Sequence, residues 1–562
     1  MQPARNETKI SYHRRRAEEL KKVRQPWELQ WQELADFIEP TYLRLRLDDE
    51  RAVSRAKIID STGTFALRTL QSGMHSGITS PARPWFRLTT LDPDLKEFGP
   101  VKEYVSLVET RMREIFQASN IYNAFHQGYG HLGLFGQSAG ILIDDVRSTV
   151  RMLQLTPGRY WIARDDSGRV TTLYRCFRWS VQRIVSRFGY GPHLSEHIRT
   201  AYDNSRYDET FDIWHAIEPR LERDPRKIDK RNKPFLSNYW EDGQSGKVLL
   251  DESGFDENPI IAPAWDLTAE DHYSTSPGMV ALSDVKMLQK EQSRKLEGID
   301  KKVRPPMTGP TSMRNNPASL LPGAITYADT TVASGGFRPA MEVNLSLAEL
   351  SADIRETRDR IRQSFYADLF LMLANMEGIQ PRNQFEIAER KEEKLLALGP
   401  VLENIYDGQL APTIDRTFAI MSRNNMLPEP PREIQDQELK IEYISMLAQA
   451  QKAVATGGIE RLWAFVGNLS AVKPEVLDKV DADQSIDVYA DMLGADPSLI
   501  VPDDEVQGVR ESRAKRQRQA EQAQMAATMA PAAKQGAEAA AVLAEADKNG
   551  GAGRLLSNLG LS

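Results

Sequence analysis

The sequence predicts an α+β protein that is predominantly helical. Two long stretches, Met279 to Val303 and Leu345 to Leu373, carry apolar residues at the helical period among charges. From about residue 139 to residue 250 the period shifts towards two, in short β-prone segments split by turn residues. The two long helices flank Arg304 to Glu342, which is rich in Pro and Gly, with β-prone pieces at Ile325-Thr326-Tyr327 and Thr330-Thr331-Val332. Short β segments hung on a helical frame imply a mixed body. A helix, a compact insert and a returning helix imply a two-helix stalk with the insert at its far end.

Taken in order, residues 7 to 39 read as a helix pair: a basic run through Arg24, then Trp27, Leu29, Trp31, Leu34, Phe37 and Ile38 before Pro40. Two tryptophans this close point to docking against a larger body. The next block runs from Asp60 to Phe86. Asp60 or Ser61 can cap a helix through a side-chain oxygen. Ala66, Leu67, Leu70, Met74 and Ile78 form its apolar stripe, and Gly63, Gly73 and Gly77 permit close backbone contact. Pro81 and Pro84 end it and hold Trp85 and Phe86 extended, as packing anchors. Val101 to Ile121 is a further amphipathic helix, with Val105, Val108, Met112, Ile115 and Phe116 on one side.

Ile141 and Ile143, then Met152, Leu153 and Leu155, read as strands. A hairpin turns at Asp166-Ser167-Gly168, with arms Tyr160 to Ala163 and Val170 to Tyr174. Val181 to Phe188 returns to helix, and Phe211 to Ile217, Phe235 to Trp240 and Lys247 to Leu250 are further strands. In the stalk, Glu291 with Lys295 and Glu297 with Lys301 are oriented i,i+4 pairs, and Pro305-Pro306 ends the first helix. Leu347, Leu350, Ile354, Ile361, Phe365 and Leu369 line the returning one. A polar break at Asn375 to Asn383 precedes a long helix from Phe385 to about Asn425, interrupted near Gly399-Pro400. After the stop at Leu427 to Pro431, residues 433 to 500 read as helical, with turns at Gly457-Gly458 and Lys473-Pro474. Beyond Gly508 the chain is rich in Ala, Gln, Arg and Glu, with too few large apolar residues for an independent core.

Bulk properties narrow the function. At 562 residues the chain is too long for one compact core. Its 41% hydrophobic and 27% charged residues fit a folded, non-membrane protein, and its apolar runs are too short to cross a bilayer. No apolar segment follows the charged N-terminus to make a signal peptide. The single cysteine, Cys176, leaves no internal disulfide and fits a reducing compartment. A net charge of −7 argues against a DNA-coating protein; a chain of this charge guides DNA sooner than it grips it.

Chemical motifs are sparse. His193-Leu194-Ser195-Glu196-His197 has the H-x-x-E-H spacing of some zinc peptidases, but Gly189, Gly191 and Pro192 favour a solvated helix start. Gly243-Gln244-Ser245-Gly246-Lys247 lacks the spacing and hydroxyl of a phosphate-binding loop and reads as a hairpin turn, so any ATP-driven motor is a separate partner. Asp144-Asp145, Asp165-Asp166 and Asp503-Asp504-Glu505 read as turns and edges, not a two-metal site. Cys176, in an aromatic strand, reads as a small buried hydrophobe. No cofactor is expected.

The ordered set of segments resembles the head-to-tail connector, or portal, proteins of short-tailed phages. It comprises Ile59 to Gly63, Ser80-Pro81 and Pro84-Trp85-Phe86, then Leu155 to Tyr160 and Asp166 to Val170. Asp251 to Phe255, Asn258-Pro259, Trp265, Tyr273 and Ser276-Pro277 follow, leading to Leu282, Asp284, Lys286 and Leu288. Three places depart from the family pattern: Ala264 replaces a basic residue, Ser274 a Gly, and Arg382 to Glu386 a Thr-rich run. The resemblance implies a wing at 1–275, a first stem helix at 276–304, a clip at 305–342 and a second stem helix at 343–374. It further implies a tunnel loop and long wing helix at 375–430, a crown at 431–507 and a tail at 508–562.

It also implies a ring of about a dozen copies at one capsid vertex of the virion, assembled in the host cytoplasm. Expected partners are double-stranded DNA in the channel, the terminase large subunit (the packaging ATPase), a tail adaptor, and the major capsid protein and scaffold, with no membrane. Candidates to face DNA are Lys286, Lys290 and Arg294 at four-residue spacing, Lys301 and Lys302 at the helix end, and Arg382, Asn383 and Gln384 at the tunnel-loop tip. A solvated or intersubunit face accounts for the same stem cations, those at the C-terminal end being favoured by the helix dipole. A few basic rings in an otherwise acidic channel would centre a duplex and slow its backsliding. The long helices and Ala/Gln-rich tail also fit an internal scaffold or ejection protein, although neither needs the Pro-rich insert. A metal-dependent peptidase or nuclease is the third alternative and rests on scattered motifs.

Overall fold

The computed structural model describes, apart from short gaps, residues 8–46, 56–242, 249–308, 338–339, 346–374, 398–447, 462–493 and 501–520, with residues 537 and 541. The chain divides into two units, residues 1–458 and 459–562. No described helix is long and apolar enough to cross a membrane.

The first unit opens with α1, Lys9–Phe37, a single helix where the sequence predicts a pair. Pro26 lies inside it and removes one ladder hydrogen bond. Contacts on both sides carry the helix through: the Arg24 guanidinium donates to the Tyr160 carbonyl at 2.6 Å and, within the helix, to Glu28 at 2.7 Å. One turn further on, Trp31 is fully buried against Tyr273 and Phe135. Helix α2, Thr62–Ile78, leads through Pro84 into β1, Phe86–Thr90, and α3, Gly99–Ala118, and α4, Ile121–Phe135, follow. The apolar positions read from the sequence in α2 and α3 all lie in the main core.

Strands β2, Gly140–Asp145, and β3, Thr149–Gln154, pair as a hairpin. The Tyr160 hairpin forms as read, with β4, Tyr160–Arg164, against β5, Val170–Ser180. Helices α5, Val181–Phe188, and α6, Glu196–Asp203, precede β6, Thr210–Pro219, β7, Phe235–Glu241, and β8, Asp251–Phe255. Strands β4 to β8 form an antiparallel five-stranded sheet in sequence order. The expected strand at Lys247 to Leu250 is displaced: the segment pairing with β7 is Asp251–Phe255, and the Gly243 to Lys247 turn lies outside the described residues. The short β9, Ile260–Ile261, adds to β2.

Helix α7, Pro277–Val303, and helix α8, Leu347–Ser364, form the stalk. Their contacts run in opposite index directions, Asp284 beside Arg360 at 3.9 Å and Lys295 beside Ser351 at 3.1 Å, so the pair is antiparallel. At its end β10, Met307–Thr308, pairs with β11, Arg338–Pro339, so the insert leaves and re-enters at one place. Residues 309–337, which hold the other β-prone pieces, lie outside the described residues.

One long-helix expectation needs correction. The returning stalk helix breaks at Phe365-Tyr366, where Tyr366 has φ 53°, and α9, Ala367–Ala374, continues. The break lays Phe370 on α2 at Gly73, where a Cβ would lie 2.2 Å from its ring. Of the helix expected from Phe385 to about Asn425, residues 385–397 lie outside the described residues; the rest is α10, Gly399–Ile405, which passes through a π-helical turn, Tyr406–Leu410, into α11, Ala411–Arg423. The reading of 433–500 as helical fails at β12, Leu439–Tyr443, which pairs antiparallel with β1 (Phe86 opposite Tyr443, Thr90 opposite Leu439). Leu439, Ile441 and Tyr443 alternate with charged residues, and that period of two wins once β1 offers an edge.

In the second unit, residues 462–470 and 506–520 are helical, as is α12, Ala482–Leu493. Arg510 forms a two-pronged ion pair with Asp483 at 2.6 and 2.7 Å. Residues 507–520 are exposed throughout.

Candidate functional site

The centre of the stalk is tied to α2 by one buried carboxylate. Asp60 is 8% exposed and precedes the Ser61 N-cap position, whose own side chain makes no capping bond. Its Oδ1 accepts from the Thr62 amide at 2.9 Å and from the Thr62 hydroxyl. Its Oδ2 accepts from Arg358 Nη2 at 2.7 Å and Nε at 3.1 Å on α8, and from Gln292 Nε2 at 3.0 Å on α7. Gln289 adds a clamp: its Oε1 accepts from the Ile59 and Asp60 amides, both at 2.7 Å, and its Nε2 donates to the Asp60 carbonyl at 2.8 Å. Burial alone would raise the Asp60 pKa, but the bonds from Thr62 and Arg358 outweigh it and hold the carboxyl below its usual value.

Close packing completes the joint. A Cβ on Gly63 would meet Val285 of α7 at 3.2 Å, and one on Gly77 would meet Leu447 at 2.8 Å. The sequence marked Asp60 as a helix cap and the glycines as contact points. Their partners, more than 200 residues away in the chain, were not visible in it.

The cations of α7 do not form one uniform ladder. A step of four residues rotates about 40° around a helix, so Lys286, Lys290 and Arg294 fan across its surface. Lys286 turns to α1, pairing with Glu33 at 2.7 Å and lying over the Phe37 ring. Lys290 and Arg294 are exposed, and no ion pair engages either among the described residues. Lys301 pairs with Glu297 in the last turns, while Lys302 is exposed. Arg382, Asn383 and Gln384 lie outside the described residues.

Trp85 and Phe86 are each 1% exposed, buried within the single chain. Trp85 stacks on Phe116 with centroids 5.9 Å apart, and its Nε1 donates to the Tyr122 hydroxyl at 3.3 Å. Ser274, one of the departures from the family pattern, acts as an internal clip. Its hydroxyl donates to the Gly136 carbonyl and accepts from the Trp265 amide at 3.1 Å. Ala264 is buried and forms an isolated bridge with Gln137.

The remaining motifs settle into structural roles. Ser195 caps α6 through the Ile198 amide, leaving His193 in the preceding turn and His197 in the first turn. Asp165 accepts from the Ser167 and Arg169 amides in the hairpin turn, and Asp145 accepts from Ser148. Asp144 faces Arg416 at 3.7 Å. Cys176 is buried, and burial, with Asp212 and Asp242 nearby, pushes its thiol up to about 12. Residues 503–505 lie outside the described residues.

Comparisons with known proteins bear on the whole chain. The portal protein of Salmonella phage epsilon15 is 45% identical over 523 residues, covering 92% of this chain and 93% of that one. The probable portal protein of Bordetella phage BPP-1 is 46% identical over 535 residues, covering 94% of each. Among solved structures, a chain from the virion of a native gene transfer agent particle aligns at 12% identity with a TM-score of 0.33. That alignment covers 78% of this chain and 91% of that one, too distant a likeness to bear on the fold. The profile of the bacteriophage head to tail connecting protein family matches residues 12–501. The chain belongs to the bacteriophage head-to-tail connecting, or portal, protein family.

Proposed function

We propose that this chain is the portal subunit of a phage head. About a dozen copies would close into a ring at one capsid vertex, a cyclic assembly that avoids open-ended growth. The observation that carries this reading is the match to two portal proteins at 45% and 46% identity over more than nine-tenths of the chain. The antiparallel stalk with its insert closed by β10 and β11 supports it. So do Phe65 of α2 and Val280 and Leu296 of α7, large apolar side chains exposed at 62%, 68% and 58%, which a neighbouring subunit would cover.

The role is mechanical and recruiting, not catalytic. The stalk would be the stem, with residues 305–342 the clip, 375–430 the tunnel loop and long wing helix, and 431–507 the crown. DNA would pass along the stem, where Lys290, Arg294 and Lys302 are available to touch phosphates, and Lys286 serves the subunit's own frame. The clip would dock the terminase large subunit during packaging and the tail adaptor afterwards, while the wing meets the major capsid protein and scaffold. Negative-stain imaging of the purified protein tests the ring: particles with a central hole support it, and rods or monomers overturn it. Replacing residues 307–338 with a short linker tests the clip, which is refuted if terminase and adaptor binding survive.

A further inference from the structure

We propose that the groove between the five-stranded sheet and the β2–β3 ladder binds a phosphate-type oxyanion, held by Arg175, Arg183 and Arg187. The groove encloses about 800 Å³, the size of small-molecule sites. Apart from Arg159, which donates to the Arg46 carbonyl at 3.2 Å, its cations divide into two sets. On the α11 side, Arg416 pairs with Glu257 at 2.9 Å, Arg423 approaches Asp256 at 3.9 Å, and Lys233 pairs with Asp256 at 2.8 Å. That side is neutralised.

The α5 side is not. Arg175 on β5 donates through Nε to His215 Nδ1 at 3.0 Å, so it spends a guanidinium hydrogen on a ring nitrogen instead of a carboxylate. His215 lies 2.9 Å from Ser237 through its other nitrogen and is 1% exposed. Burial, then Arg175 and Arg187, push its pKa well below the usual value and keep the ring neutral. Arg183 lies over the Trp179 ring at 4.4 Å and Arg175 over Phe177 at 4.8 Å. Arg183 and Arg187 sit one turn apart on α5, both exposed. Among the described residues no carboxylate lies within ion-pair distance of any of the three, although Asp251 also lines the groove.

Burial, together with Arg183 and Arg187, lowers the Arg175 pKa, a cost that an arriving anion would remove. Three guanidiniums with no carboxylate in ion-pair reach among the described residues, Arg175 being held by His215 and the Tyr239 hydroxyl, suit a tetrahedral dianion better than one carboxylate. Free phosphate and the phosphate of a nucleotide share this chemistry.

Calorimetry on the purified full chain separates the sources, with inorganic phosphate, thymidine 5′-monophosphate and thymidine titrated in turn. Saturable binding of phosphate or the monophosphate is expected, the tighter ligand naming the source. Arg183→Gln and Arg187→Gln, both at exposed positions, should each weaken it roughly tenfold, and Lys227→Gln, an exposed cation outside the groove, should leave it unchanged. Unchanged circular dichroism and melting establish that the variants fold. No saturable binding, binding indifferent to the arginine changes, or thymidine binding as tightly as its monophosphate each overturns the proposal. So does an acidic peptide that binds where phosphate does not, which would assign the groove to a protein partner.

Discussion

Replacing Asp60 with Asn probes the joint between stalk and body with almost no change of shape. The amide can keep accepting from Thr62, but the charge facing Arg358 is gone and an N–H₂ meets two donors, Arg358 and Gln292. Bonds to charged groups contribute roughly 1.5–3 kcal/mol each, and the Arg358 pair is discounted because that side chain is 37% exposed. A loss of about 2–3 kcal/mol follows. The assay is hydrogen exchange at the Ile59 and Asp60 amides, which donate to Gln289. If they open with the joint, exchange should quicken roughly 30- to 150-fold in Asp60→Asn. Arg358→Lys should fall between, and the double variant Asp60→Asn/Arg358→Gln should lose less than the sum of the singles. Because the Asp60 pKa is depressed, its contribution is present above the unfolded value and is lost as pH falls through the folded one. Asp60→Asn should therefore blunt acid unfolding below about pH 4. Wild-type exchange and melting in Asp60→Asn would refute the joint.

Gly73→Ala should destabilise by about 1–3 kcal/mol by overpacking Phe370, and Phe370→Leu should recover part of the melting temperature. Arg416, 3% exposed, donates to the Leu142 carbonyl and pairs with Glu257; Arg416→Met should lower stability by about 2–4 kcal/mol in chemical unfolding. His13 and His131 are buried with pKa values near 4, lowered chiefly by burial. The unfolded chain takes up their protons first, so stability should decline between about pH 6.5 and 4, and His131→Gln should flatten that slope in pH-dependent melting. Lys290→Glu with Arg294→Glu should leave rings intact by electron microscopy but alter the salt dependence of DNA retention; unchanged retention would remove both from the channel.

Local pattern carried much of the reading. Val181–Phe188, the Tyr160 hairpin and the stalk helices could be seen because their periods and punctuation lie within a dozen or so residues. What escaped depends on distant partners. Pro26 looks like a helix break until Arg24 and Trp31 find their contacts. Tyr366 accepts a left-handed backbone because the turn seats Phe370 on Gly73. Lys286, Lys290 and Arg294 look equivalent along the sequence, and only the position of Glu33 separates the first from the others.

The pairing of β1 with β12 has a consequence for biosynthesis. Phe86–Thr90 leaves the ribosome some 350 residues before the strand that covers it. Until residue 443 emerges, the nascent subunit carries an open β edge beside Trp85, able to recruit the same segment from another growing chain. Such a late closure favours slow maturation and a need for chaperones at high expression. Chains truncated before Leu439 should accumulate as aggregates even though their upstream sheets are complete.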